Sequence, residues 1–177
     1  MKILAFAGSN SSTSINHQLI EFMASKMTSE VEIIHLTNYQ LPIYSEDYEK
    51  DHGIPTEALL LKNKIDECKA LMVSVNEHNS MISAFFKNQM DWLSRVDAKF
   101  LNNKKVLLTS TSPGERGGKS ALEFVKDHYF ARFGAQIIEA FSFPSFQDNF
   151  DMENQSIKDE ILALGFQEVM TNFQQQI

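Results

Sequence analysis

Five hydroxyl side chains fall within the six residues Ser9, Asn10, Ser11, Ser12, Thr13 and Ser14, and Ile15 and Asn16 follow directly. Hydroxyls donate hydrogen bonds to phosphate oxygens without carrying a counter-charge. A helical apolar period begins at Ile15 and continues through Leu19, Ile20, Phe22 and Met23, so the hydroxyl run ends where a helix starts. The first N–H groups of a helix lack internal partners, and its dipole places partial positive charge there. Together these features suit a phosphate-bearing ligand, such as a nucleotide or a flavin. A plain N-cap needs one hydroxyl, and five exceed that role. Two later loops are as distinctive. One is polar throughout: Asn76, Glu77, His78, Asn79 and Ser80. The other runs from Thr111 and Ser112 to Lys119 with Pro113, Gly114, Gly117 and Gly118, a backbone free to come close to a planar ligand.

Each of these loops follows an apolar run. The spacing predicts strands over 2–7, 31–36, 70–75, 105–110 and 136–141, and helices over about 15–28, 56–67, 82–95, 119–132 and 155–173. Continuously apolar strands are buried on both faces, as in a parallel sheet. Five strand–helix alternations predict a doubly wound α/β fold with strand order 2-1-3-4-5 and helices on both faces. In that order a ligand crevice lies at the switch point, walled by the loops after strands one, three and four. Those are the three loops above. Two segments interrupt the alternation: 37–55, with Tyr39, Tyr44 and Tyr48, and 142–153, with three Phe around Pro144. Both are expected to be irregular connections, and no linker divides the chain, so residues 1–177 are expected to form one domain.

The three loops, in this order, resemble the NAD(P)H-dependent FMN reductase family, flavodoxin-like flavoproteins that include quinone, azo-dye and chromate reductases. The family's first motif, G-S-x-R-x-x-S-x-N, is matched by Gly8-Ser9-Asn10-Ser11-Ser12-Thr13-Ser14-Ile15-Asn16. Its second, about P-E-Y-N-x-S-x-P-x-x-L-K-N-x-x-D-W, is matched from Asn76-Glu77-His78-Asn79-Ser80 to Lys87-Asn88, Asp91 and Trp92. Its third, a Gly-Gly loop, is matched by Gly117-Gly118. The resemblance spans residues 1 to about 140. It implies a cofactor site in which Ser9, Ser11, Ser14, the Ile15 backbone N–H and Asn16 hold the FMN phosphate. Glu77, His78, Asn79 and Ser80 would line the dimethylbenzene and ribityl side, and Ser112, Gly114, Gly117 and Gly118 the pyrimidine end. Four positions depart from the pattern: Ser11 stands for Arg, His78 for Tyr, and Asn76 and Ser83 for Pro. Loss of the Arg removes a charge-assisted phosphate contact and weakens binding. Lys87, Asn88, Asp91 and Trp92 read as packing and subunit-contact residues.

The resemblance implies an enzyme that passes hydride from NADPH or NADH through FMN to a quinone, flavin or similar small-molecule acceptor. No residue is assigned a catalytic acid or base role, because the cofactor carries the chemistry. The alternatives are a flavodoxin-type electron carrier or a binding module that has lost flavin. Composition narrows the rest. A net charge of −7 argues against a nucleic-acid interface. The single Cys68 and five scattered His give no metal-ligand spacing, and no apolar run approaches the ~20 residues of a membrane span. A cytoplasmic protein is expected, without a signal peptide. The tyrosines of 37–55 and a helix with Phe85, Phe86 and Trp92 are expected to supply apolar surface for a homodimer or tetramer.

Overall fold

The computed structural model describes residues 2–177. In chain order, β1 (Lys2–Ala7), α1 (Ile15–Ser25) and β2 (Glu30–Ile33) come first, then α2 (Glu46–His52) and α3 (Thr56–Asp66). They are followed by β3 (Ala70–Ser74), β4 (Glu77–His78), β5 (Met81–Ile82), α4 (Ala84–Val96) and β6 (Lys105–Thr111). A helical stretch then runs through α5 (Lys119–Phe124), a π turn (Val125–Tyr129) and α6 (Phe130–Arg132). The chain ends with β7 (Gln136–Phe143), α7 (Phe146–Asn149), β8 (Phe150–Asp151), β9 (Ser156–Ile157) and α8 (Glu160–Gln176).

The main sheet has the order β2-β1-β3-β6-β7, and every pairing in it is parallel. This is the 2-1-3-4-5 arrangement expected from the sequence. Alternate residues of β1 explain the layers. Leu4 and Phe6 face one core with Leu61 and Ile65 of α3, Phe86 and Leu93 of α4, and Leu122 of α5. Ile3 and Ala5 face the other, with Leu19 and Met23 of α1 and Phe166, Met170 and Phe173 of α8. Both faces of β1 and β3 are therefore buried, as continuous apolar runs require.

Departures from the expected elements have local causes. β2 ends at Ile33, one further bond to β1 follows from the Ile34 N–H to the Ala5 carbonyl at 2.9 Å, and the chain then enters a 3₁₀ turn at Leu36–Asn38. Residues 37–55 are not irregular throughout: Ser45 caps α2 by accepting from the Tyr48 N–H at 3.1 Å. The last helix begins at Glu160 rather than near 155, since Asp159 accepts from the Leu162 N–H at 2.7 Å and 150–157 form a small hairpin.

The 37–55 segment is fastened to α4. The Trp92 Nε1–H donates to the Pro42 carbonyl at 2.7 Å, and Gln89 donates to Tyr39. Asn88 donates to Pro42 at 2.9 Å and accepts from the Tyr44 N–H at 2.9 Å. Phe86 and Trp92 are fully buried within the single chain. The expectation that they offer surface to a second subunit is thus corrected: both side chains are spent on internal packing.

Candidate functional site

The hydroxyl run forms the turn between β1 and α1. Ser9 Oγ accepts from the Ser11 N–H at 3.2 Å, and Ser11 Oγ from the Thr13 N–H at 3.3 Å, so the loop is built from its own side chains. Ser14 is the N-cap: its Oγ accepts from the His17 N–H at 3.2 Å, which leaves its hydroxyl hydrogen to donate elsewhere. The backbone N–H groups of Ile15 and Asn16 have no backbone or side-chain acceptor among the described residues. The first turn of α1 carries no acidic residue. Hydroxyls and open N–H groups at a helix start, with no carboxylate in its first turn, make a donor set that fits a phosphate monoester.

Asn16 has a second task. Its Oδ1 accepts from Ser74 Oγ at 2.7 Å and from the Thr111 N–H at 3.1 Å, while its Nδ2 donates to the Thr111 carbonyl at 3.1 Å. This buried amide joins the first loop to the C-terminal ends of β3 and β6, where the other two loops begin. Its side chain is therefore committed to the protein, and what it offers a ligand is its backbone N–H.

Residues 77–82 are a hairpin, not an open loop. Glu77 pairs with Ile82 and His78 with Met81, and the two-residue turn places Asn79 and Ser80 at φ 51° and 64°. Two consecutive left-handed residues are the geometry of a type I′ turn, and Asn tolerates it better than most. Asn79, Ser80 and His78 are exposed at its tip. Glu77 Oε2 accepts from the Ala121 N–H at 3.0 Å, so this carboxylate caps the start of α5 and fixes the hairpin against it. At the root of the hairpin, Asn76 Nδ2 approaches His78 Nε2 at 3.3 Å, and Asn76 Oδ1 is buried with no protein partner among the described residues. A buried carbonyl oxygen without a donor fits a ligand hydroxyl or N–H.

The glycines of the third loop answer to internal demands. A Cβ on Gly117 would sit 2.5 Å from Ser142 Oγ and 2.9 Å from the Phe143 backbone, and one on Gly118 would sit 3.2 Å from Ser110 Cβ. Both residues have positive φ, 57° and 74°. Gly114 is exposed with open space about it, and its carbonyl accepts from Ser112 Oγ and from the Gly117 and Ser145 N–H groups.

The first loop also walls a cavity of about 670 Å³, shared with α1 and with residues 35–38. The second and third loops do not line it. The three loops meet through Asn16, while the cavity opens on the β2 side of the first loop. It holds two residues that sequence reasoning passed over. His17 and His35 stack with ring centroids 3.9 Å apart. Burial and the neighbouring His35 hold the His17 imidazole below its ordinary value, against the pull of Glu21. The only sequence signal was a His three residues past the cap.

The chain matches the model of the family described as NADPH-dependent FMN reductase over residues 1–148, which takes in all three loops. An uncharacterized protein of Mycoplasma pneumoniae is 31% identical over 81% of this chain and 87% of its own length. The quinone reductase of Escherichia coli K12 is 25% identical over 67% of this chain, a match that spans 63% of that protein. Among solved structures, the flavoenzyme NAD(P)H:(acceptor) oxidoreductase FerB of Paracoccus denitrificans superposes with a TM-score of 0.78 at 24% identity. That superposition covers 98% of this chain and 95% of FerB.

Proposed function

This chain belongs to the NADPH-dependent FMN reductase family, and from that premise we propose that it reduces a small quinone, a free flavin or a like acceptor at the expense of NADPH or NADH. FMN, when bound, supplies the two-electron hydride chemistry between nicotinamide and acceptor. The observation that carries the reading is the donor set at the start of α1: Ser9, Ser11 and Ser14 with the N–H groups of Ile15 and Asn16.

The residues have separable tasks in this reading. The first loop anchors the phosphate and so fixes the ligand by its end. Asn76 Oδ1 and the hairpin residues Glu77, His78, Asn79 and Ser80 line the ribityl and dimethylbenzene side. Ser112, Gly114, Gly117 and Gly118 border the pyrimidine end, with the two buried glycines letting the loop lie flat on β6 and β7. Glu77 holds the hairpin to α5, so two walls of the crevice move as one piece. Arg116, exposed and without a carboxylate partner among the described residues, is the local candidate for the 2′-phosphate of NADPH. The 177 residues act as one FMN-binding domain. A homodimer in the cytoplasm is part of the proposal, with exposed Met81, Leu59 and Leu60 as apolar contact surface. No described helix is long and apolar enough to cross a membrane.

The test is an absorbance spectrum of protein incubated with FMN and passed through a desalting column. Flavin bands that bleach with NAD(P)H and return with a soluble quinone, over many turnovers, support the proposal. Protein that stays colourless overturns it, and bleaching without turnover favours an electron carrier.

A further inference from the structure

We infer that the stacked His17–His35 pair is the proton-gated cationic partner of the flavin's terminal phosphate, so that FMN binding takes up a proton and riboflavin binding does not. The inference rests on the functional reading above.

The argument begins with charge. The cavity beside the first loop is walled mainly by hydroxyls, amides and two imidazoles, has Glu21 as its one carboxylate, and carries neither Lys nor Arg. A phosphate there meets the partial positive charge of a helix dipole and, further along α1, the Glu21 carboxylate, so a full positive charge is offered only when an imidazole is protonated. His17 and His35 are the wall residues able to become cations. His17 is placed for it: its backbone N–H is held by Ser14, so its side chain leaves the same helical turn that offers N–H groups to the phosphate. Its Nε2 is buried without a hydrogen-bond partner, 3.7 Å from Glu21 Oε1.

The surroundings set the direction of the switch. The titratable groups bearing on His17 are His35, from the chain after β2, and Glu21, one turn along α1; the hydroxyl loop contributes none. Two imidazoles stacked at 3.9 Å oppose double protonation, and burial opposes even the first. Without phosphate, burial and His35 favour the neutral form of His17. A dianion beside the pair reverses that balance and favours the imidazolium.

Linkage makes the effect reciprocal: a phosphate that strengthens proton binding is itself bound more tightly by the protonated pair. The sign follows. FMN affinity is flat below the imidazole's own pKa. It falls by up to about tenfold per pH unit above it, and levels once the phosphate-bound pKa is passed. The phosphate's second ionisation, near pH 6, gives the opposite slope at lower pH, so the diagnostic window lies above about pH 7.

The experiment measures dissociation constants by flavin fluorescence quenching from about pH 7 to 9, for FMN and for riboflavin. It uses the full chain and the variants His17→Gln and His35→Gln. His35 is exposed, so its variant tests the pair even if the other folds poorly. Calorimetry in two buffers of different ionisation enthalpy counts the protons taken up. FMN affinity should fall about tenfold across the window, riboflavin affinity should stay flat, and each Gln variant should flatten the FMN slope alone. FMN binding with no proton uptake, or with the same slope in both variants, overturns the inference and leaves the functional reading standing. Failure to bind either flavin overturns both. Adding 2′,5′-ADP to the FMN-loaded protein separates the sources of phosphate. Binding of this probe that depends on His17 assigns the pair to the nicotinamide substrate and overturns the inference.

Discussion

Replacing Ser14 with Asp separates a helix cap from a phosphate ligand. Ser14 is 9% exposed, and its Oγ accepts from the His17 N–H at 3.2 Å. An Asp carboxylate accepts the same bond, caps as well as Ser, and gains about 0.3–1 kcal/mol from the dipole. The fold should therefore hold, with a melting temperature unchanged or raised by about 1–4 °C. A phosphate at the same helix start meets the new charge at contact range. At about 4 Å and an effective dielectric constant near 20, each unit pair costs about 4 kcal/mol. The phosphate carries about 1.5–2 charges at pH 7, so about 4 kcal/mol is a lower figure. That is a loss of about a thousandfold in FMN affinity. Riboflavin has no phosphate and should bind Ser14→Asp as it binds the parent protein. NAD(P)H turnover should fall in step with FMN occupancy and return at saturating FMN. Fluorescence titration with both flavins, alongside a thermal melt, makes the comparison. A variant that melts normally and binds FMN within about tenfold of the parent would show that the phosphate is not held at this helix start.

Asn16→Leu removes three buried hydrogen bonds and strands Ser74 Oγ and the Thr111 backbone, so urea denaturation should show a loss of about 3 kcal/mol even without flavin. Gly117→Ala drives a Cβ to 2.5 Å from Ser142 Oγ and 2.9 Å from the Phe143 backbone at φ 57°. It should cost about 1–3 kcal/mol, whereas Gly114→Ala, in open space, should leave the melting temperature unchanged or slightly higher. Arg116→Ala should raise KM about fivefold for NADPH and leave that for NADH in place, a contrast read by steady-state kinetics. The Glu32 carboxyl is held below its ordinary 4.5 by hydrogen bonds from Lys2 and Lys64. Its contribution to stability is therefore present above that value and lost as pH falls through the depressed one. Chemical denaturation between about pH 3 and 6 should give a shallower acid loss for Glu32→Gln than for the parent.

What the sequence determined by itself is what depends on neighbours a few residues apart. The apolar runs at 2–7, 70–75 and 105–110 read as strands buried on both faces, and their alternation with helical periods pointed to the sheet order that the structure has. The hydroxyl run before Ile15 marked the start of α1, where Ser14 is the cap, because capping and the dipole are properties of a single turn. Residues joined by the fold were not legible in this way. Asn16, Ser74 and Thr111 are scattered along the chain and meet only when β1, β3 and β6 lie side by side. Glu77 becomes a cap because α5 starts beside the hairpin. Gly117 and Gly118 read as backbone free to approach a planar ligand, yet they are required by atoms of β6 and β7 that only the packed sheet brings within 3.2 Å. Trp92 read as surface for a partner until Pro42 came within 2.7 Å of its ring nitrogen. His17 and His35 stack because α1 and the chain after β2 converge on one side of β1. Local pattern sets which elements form and where a charge is welcome. Which side chains remain free to greet a ligand is decided by contacts between elements, and those exist only after the chain has packed.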